Sequence, residues 1–418
     1  MKRAAWAAPC ALILFIFLFP TLRARAADPP LLTIEAAVEE ALRANPEIAA
    51  AEHAWKAAEE VPRQASSLED PRVSYEAYNI RNSFAFDQAS ENIYSVTQAV
   101  PFPTKLLLRG RSARKAAEAE KQRLEEKRLE ITARVRAAYA DLFEAEREID
   151  LYRRTEEVAR RLAGTAEAKY ATGEVPQEDL LKAQVALSTI QRDLNSFEEA
   201  RSAALARLTA PPDRPQERTA RTVESLPVTP LARGVEELER EATEKRPRVR
   251  AAALEVGRAD VERKLARTRY LPDFEVTARR FVNRGEDNGY GAMFMVNVPW
   301  VWFQKHRAAN REAIERRLEA ASRLRAEKND TAMGVRELYA GTTRAYRNAE
   351  LLQTTLLPQS RLAFESTLAT YEVGEGEFLN VLDSFQTLLF LEAQRVEEVA
   401  AYHRRLAALE ATVGGRVQ

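Results

Sequence analysis

The chain is an internal duplication, and whatever one half folds into, the other half folds into again. Tyr170-Ala-Thr-Gly-Glu174 returns as Tyr371-Glu-Val-Gly-Glu375, a shift of 371 − 170 = 201 residues. Val135-Arg-Ala-Ala-Tyr-Ala140 returns as Val335-Arg-Glu-Leu-Tyr-Ala340, a shift of 335 − 135 = 200. Asn45-Pro46 answers to Arg246-Pro247, Pro71 to Pro272 and Pro101 to Pro299, in the same order and at nearly the same shift. A repeat of this length makes each copy one structural unit and must be read before any fold is assigned.

Within each copy the punctuation is the same. Thr33 opens a short amphipathic helix, Ile34 to Leu42, and Asn45-Pro46 ends it. A second helix runs to about Leu68, and Asp70-Pro71 breaks it. Val73, Tyr75 and Ala77 alternate with Ser74, Glu76 and Tyr78, a strand period. After the polar stretch Arg81–Glu91, residues Ile93–Val100 are strand-like again and stop at Pro101-Phe102-Pro103. The second copy repeats the plan, with helices from Val235 through the Arg246-Pro247 break to Tyr270. Strands at Phe274–Ala278 and Tyr290–Val298 flank a polar turn, Arg284–Gly289.

The rest of each copy is helix of unusual length. From Thr104 to Thr172 there is no proline and only Gly110 and Gly164. Ile131, Val135, Ala138, Leu142, Ala145, Ile149 and Tyr152 step by alternating fours and threes, the seam of a coiled coil. Thr331, Val335, Leu338, Thr342, Ala345, Ala349 and Leu352 do the same in the second copy. At 1.5 Å per residue the first run is roughly 100 Å long, too long for a compact domain. Gly173 to Pro176 turns the first hairpin, and Gly374-Glu-Gly376 turns the second. Composition agrees: charged residues are 30% and glycines only 14, as in long helices.

The expected organisation is a leader at 1–26, a first repeat at 27–210, a Pro-rich linker at 211–232 and a second repeat at 233–418. Lys2 and Arg3, the apolar run Ala11–Pro20 and Ala24-Arg25-Ala26 read as a secretory signal; the apolar run is too short to span a bilayer as a helix. The only cysteine, Cys10, lies in that leader, so thiolate metal sites, disulfides and cysteine catalysis are excluded from the remainder.

Lys+Arg and Asp+Glu both total 63, which gives no charge to hold nucleic acid. His53, His306 and His403 are isolated from one another and from ligand spacing. No phosphate-binding G-x-x-x-x-G-K-[ST] loop exists, so any transport must draw energy from elsewhere. No cofactor, metal site or catalytic residue is expected.

The strands pose a closure problem. Each is about nine residues, the length of a transmembrane β-strand. Four per chain cannot close a barrel, and an open sheet cannot sit in lipid. Either the sheet is a small soluble subdomain or several chains pool their strands. Tyr75, Tyr78, Tyr94, Phe274, Phe281, Tyr290 and Phe294 are available for lipid contact.

The duplicated plan resembles the TolC family of bacterial outer-membrane efflux factors. Thr33-Ile-Glu-Ala-Ala-Val-Glu-Glu-Ala-Leu-Arg-Ala-Asn-Pro46 resembles its opening helix, and Tyr371-Glu-Val-Gly-Glu-Gly-Glu-Phe-Leu-Asn-Val-Leu-Asp383 its second hairpin turn. Asp70-Pro-Arg-Val-Ser-Tyr-Glu76 resembles the heavy-metal efflux branch. The resemblance implies a mainly α fold with a small β part. In it a homotrimer forms a shared twelve-stranded β-barrel in the outer membrane and a long α-barrel across the periplasm. It implies a passive exit duct, with a periplasmic adaptor and an inner-membrane transporter as partners. It also implies roles at the tip: Asp383 and Asn380 at the periplasmic aperture, and Tyr371 with Asp179 as a latch. Gly173 and Gly374 would serve the turns; Gly376 stands where the family often has a basic latch residue, as Asn380 stands where it often has an acidic one. Two other readings stay open: the outer-membrane part of a type I protein secretion system, and a periplasmic coiled-coil scaffold without a barrel.

Overall fold

The structure, a computed structural model, describes residues 33–80, 89–209, 225–283 and 289–417. The expected leader, most of the expected linker (211–224), and the greater part of the two polar inter-strand stretches (81–88 and 284–288) lie outside the described residues.

The order of elements is the same in both repeats. The first holds α1 (Ile34–Ala44), α2 (Pro46–Ser66), β1 (Arg72–Tyr78), β2 (Glu91–Val100), α3 (Pro103–Ala171) and α4 (Gln177–Thr209). The second holds α5 (Val235–Lys245), α6 (Pro247–Thr268), β3 (Phe274–Asn283), β4 (Gly289–Val296), α7 (Phe303–Leu351), α8 (Leu357–Glu372) and α9 (Phe378–Val413). Thr33 caps α1 by accepting from the Ala36 amide at 3.2 Å, and Asn45 caps α2 by accepting from the Glu47 amide at 2.8 Å. Pro46 and Pro247 sit in the first turns that follow, where a missing N–H costs nothing.

The four strands form one antiparallel sheet in the order β1-β2-β3-β4. Its centre is the pairing of β2 with β3, from Glu91 opposite Asn283 to Val100 opposite Phe274. The sheet is therefore made across the duplication. The strands have 7, 10, 10 and 8 residues, close to the expected nine.

The helix α3 is unbroken for 69 residues, about 100 Å. Its expected seam is the face it buries: Ile131, Ala138, Leu142, Ala145 and Ile149 are all buried, and the stripe is widened by Tyr139 and Phe143. The matching seam along α7 and just past its end is buried at Thr331, Val335, Thr342, Ala345, Ala349 and Leu352, with Leu338 half-buried. In the second repeat the long arm is not continuous, as the periodicity had suggested. Residues Leu352–Leu356 form one π turn, in which the Leu357 amide donates to the Leu352 carbonyl five residues back. The cause is Pro358 in the first turn of α8, which has no N–H for the carbonyl four residues earlier.

The short helices lie along the long ones. Ile48 of α2 packs on Leu124 and Ile131 of α3, with Trp55 and Val135 beside them. Leu238 and Ala242 of α5 pack on Val335 of α7 and on Leu409 and Val413 of α9. Residues 225–231 strap across the bundle: Leu226 joins Tyr139, Phe143, Ala349 and Val399, and the Tyr402 hydroxyl donates to the Thr229 carbonyl at 2.7 Å.

Candidate functional site

The sheet has two chemically different faces, because strand residues alternate and the register keeps like with like. One face carries Val73 and Tyr75 of β1, Tyr94 and Val96 of β2, Val276 and Ala278 of β3, and Tyr290, Ala292, Phe294 and Val296 of β4, interrupted by Arg280 between Tyr94 and Tyr290 and by Asn92 and Gln98 of β2. The larger of these side chains are exposed although apolar. Tyr75 and Tyr94 contact across β1 and β2 at 5.2 Å between ring centroids, and Phe274 and Phe294 stack at 5.7 Å.

The opposite face is mainly polar, with Ile93, Met293 and Met295 among its hydroxyl and charged groups. The Ser74 and Ser95 hydroxyls bond at 2.9 Å, as do those of Thr97 and Thr277. Arg72 donates to Glu275 at 3.2 Å, and Arg279 stands on the same face. Two of the seven aromatics expected at lipid, Tyr78 and Phe281, fall on this polar face; Phe281 lies over Gly291, where a Cβ would come within 2.9 Å of its ring. The sheet is thus largely apolar on one side and hydrogen-bonded on the other.

At the far end of the long helices the two hairpins turn identically. Gly173 has φ 78° and Gly374 has φ 84°, the left-handed region that glycine alone enters without strain. The Glu174 amide donates to the Lys169 carbonyl at 2.9 Å, and the Glu375 amide to the Thr370 carbonyl at 3.1 Å, the same six-to-one closure in both. Gly376 has a different reason to be glycine. A Cβ there would lie 3.0 Å from the Tyr371 amide nitrogen and 3.2 Å from the Thr370 carbonyl carbon.

The tips differ in what their matched tyrosines do. Tyr170 is 42% exposed, whereas Tyr371 is 2% exposed. Tyr371 joins Phe378, Val381, Leu382 and Phe385 to Leu162, Ala166, Ala183 and Ile190, so one apolar cluster spans both hairpins. The Tyr371 ring meets the Phe378 ring edge-on at 5.6 Å. On its other side the Lys169 ammonium lies 4.1 Å from the ring centroid and donates to the Tyr371 carbonyl at 3.0 Å.

Asp179 is half-buried at the start of α4. Burial pushes its carboxyl up, offset by Lys182, with Glu178 and Glu377 adding to the rise. The Tyr371 phenol is raised by burial and then by the charges of Asp179 and Glu174. Its hydroxyl is buried with no hydrogen-bond partner among the described residues. The Asp179 charge thus reaches the Tyr371 phenol, but the two are not hydrogen-bonded.

Asn380 and Asp383 are one helical turn apart on the exposed face of α9, opposite the buried Val381 and Phe385. Between α4 and α9 runs an open groove of about 580 Å³, lined by Leu181, Val185, Leu379 and Leu382 and edged by Glu178 and Lys182. No group of three His, Cys, Asp or Glu side chains able to hold a metal ion occurs among the described residues.

Lys169 was not singled out by its sequence context. Its signal was there: aligning the repeats sets Lys169-Tyr170 against Thr370-Tyr371, so the two tips diverge at the residue before the tyrosine.

A family model described as "Outer membrane efflux protein" matches residues 37–210 and 238–415. The cobalt-zinc-cadmium resistance protein CzcC of Cupriavidus metallidurans is 25% identical over 371 residues, 88% of this chain and 86% of that protein. Among solved structures, a membrane protein from Pseudomonas aeruginosa superposes with a TM-score of 0.79 at 16% identity, covering 91% of this chain and 92% of that one. The outer membrane protein VceC of Vibrio cholerae superposes with a TM-score of 0.78 at 16% identity, covering 92% and 97%. CusC, described with transmembrane channel formation, gives 0.78 at 15% identity, covering 91% and 92%.

Proposed function

The chain belongs to the outer membrane efflux protein family, and from that premise we propose that it is the exit duct of a tripartite efflux system. The family's members are channels, not enzymes, of the outer membrane that extend into the periplasm. In the proposed assembly three copies pool four strands each into a twelve-stranded barrel, and their helices continue as one tunnel. The observation that carries this reading is the two-faced sheet. Its polar face would line the lumen, its apolar face would meet lipid, and its edge strands β1 and β4 would pair between copies and leave no open edge.

In this reading transport is passive: a periplasmic adaptor and an inner-membrane transporter supply the substrate and the energy. The open α4–α9 groove, with Leu181 and Val185 exposed, suits docking of the adaptor at the tip. Asp383 would ring the aperture in three copies and attract cations, with Asn380 as a neutral ring one turn away. Tyr371, with Asp179 as its charged neighbour, would latch the closed tip through its ring, held by Lys169 and Phe378, and Gly173, Gly374 and Gly376 would set its turns. The cargo would include divalent metal cations; the resistance named for the CzcC relative and the Asp70–Glu76 motif support this.

The test is single-channel conductance of the purified protein in a planar bilayer. Cation block that weakens in Asp383→Asn supports the aperture. Conductance with unchanged block removes Asp383 from the constriction, and a soluble, non-conducting periplasmic species overturns the duct.

A further inference from the structure

The sheet and the long helices meet at a level that is apolar above and basic below. On β4 the outward column Tyr290, Phe294 and Val296 continues past the strand through Val298. It then enters the 3₁₀ turn Pro299–Trp302, where Trp300, Val301, Trp302 and the following Phe303 are 60%, 67%, 74% and 56% exposed. Four consecutive large apolar side chains facing solvent need a cover. Trp300 is not loose: its indole N–H donates to the Tyr270 carbonyl at 3.1 Å, which fixes the ring against the end of α6.

Just below, positive charge predominates. Of the segments nearest the sheet, residues 103–117, 263–271 and 303–311 contain no Asp or Glu; the acidic residues at this level are Glu69 and Asp70 after α2 and Asp273, which is paired with Lys105. Arg109, Arg111, Arg267, Arg269, Lys305 and Arg307 lie there, are all exposed, and make no ion pair among the described residues. The whole chain carries 63 residues of each sign, so the segregation is positional and not compositional. Clustered cations repel unless an anionic surface opposes them.

We propose that this collar beds into the periplasmic leaflet of the outer membrane, with the Trp300–Phe303 ridge at the headgroup level and the basic residues on anionic phospholipid phosphates. The inference rests on the barrel reading and adds to it a lipid partner and a depth stop. Trp rings favour the boundary because one end of the indole is apolar and the other carries an N–H. Arg and Lys just outside the hydrocarbon gain from negative headgroups, an attraction that dies away within a Debye length. The collar would keep the barrel from sliding along its axis when the tip is pulled.

The full chain, in a Trp6→Phe/Trp55→Phe background so that Trp300 and Trp302 report, is reconstituted in phosphatidylethanolamine vesicles with or without phosphatidylglycerol. Phosphatidylcholines brominated near the glycerol or near the methyl end of the acyl chain are the depth probes. The shallow bromines should quench more strongly. Phosphatidylglycerol should raise the thermal midpoint, and a variant with Arg267, Arg269, Lys305 and Arg307 all changed to Gln should insert yet lose that rise. Insertion without quenching, which would seat the ridge between protomers, overturns the inference while leaving the duct intact. So does an equal rise in the variant. Failure to insert at all overturns the duct and the collar together.

Discussion

Lys105 Nζ lies 2.8 Å from Asp273 Oδ1 and 2.9 Å from the Leu271 carbonyl, and the same carboxylate oxygen accepts the Phe102 amide at 2.9 Å. The first turn of α3 in one repeat is thereby fastened to the start of β3 in the other. Lys105 is nearly buried, with its ammonium inside the joint between sheet and helices.

Removing one partner strands the other, so Asp273→Asn should destabilise more than its partial exposure suggests. The expected loss is about 1–3 kcal/mol, since a buried charge without its partner costs more than a surface pair gains. Lys105→Met should be milder, because Asp273 keeps the Phe102 amide and more water. Thermal unfolding in detergent, with the double variant closing the cycle, measures both. Equal and negligible losses would remove the joint from the list of stabilising contacts.

One residue of parity should decide whether the barrel forms. Val96 and Thr97 are neighbours on β2 with opposite faces. Val96→Arg puts a charge on the proposed lipid face, at about 2–4 kcal/mol near the bilayer midplane. Thr97→Arg breaks the bond to Thr277 at about 1 kcal/mol but points into the proposed lumen. Heat-resistant trimers on gels of outer-membrane fractions should vanish in the first variant and persist in the second, with lowered conductance. Equal tolerance would contradict the assignment of faces.

The tip should depend on Lys169 more than on the Tyr371 hydroxyl. Lys169→Met removes the ring contact and the carbonyl bond that tie α3 to α8, together about 1–3 kcal/mol, and should raise leak of large antibiotics. Tyr371→Phe removes a buried hydroxyl that has no hydrogen-bond partner among the described residues, and should be nearly neutral. A large leak in Tyr371→Phe would mean that the hydroxyl, and hence the Asp179 latch, carries the closure. Gly376→Ala should loosen the same tip by about 1–3 kcal/mol through overpacking against the Tyr371 amide; proteolysis at the turn reads it directly.

Two titrations on the long helices should oppose each other. Glu148 on α3 is raised from 4.5 to about 7 by burial and by Glu144 and Glu397, against the pull of Arg404. Its folded form holds the proton more tightly, so that stability is full below about pH 4.5 and lost as pH rises through 7. His403 on α9 is lowered from 6.5 to about 4 by burial, against a hydrogen bond to the Pro227 carbonyl. Its contribution is full above pH 6.5 and lost as pH falls through 4. In the native chain the two slopes largely cancel. Glu148→Gln should uncover stability that rises between pH 4 and 7, and His403→Asn stability that falls, each by about 1–2 kcal/mol after solvent screening. Parallel slopes in both variants would refute the pairing.

Much of this fold was legible in the chain. The 201-residue shift, the four-three seams and the prolines gave the element order, since each is a local signal that packing had no reason to override. The π turn was not read from the seam, although Pro358 was in plain view, because the apolar spacing stays regular up to Leu352, where the turn begins. The collar was also missed. Its residues come from three segments of two repeats, and no window of sequence holds them together.

What the sequence determined alone was the plan: two copies, each with two strands and a long hairpin turned at a glycine with positive φ. That follows from backbone sterics and periodicity, which are local. Only the tertiary structure decided that the sheet is built across the duplication, with β2 against β3. It alone set Tyr170 outward and Tyr371 inward, though both stand at the same place in their repeats. The reason is that the copies do not pack only on themselves. They also pack on each other, and at the tip only the second tyrosine has Lys169, Phe378 and the first hairpin around it.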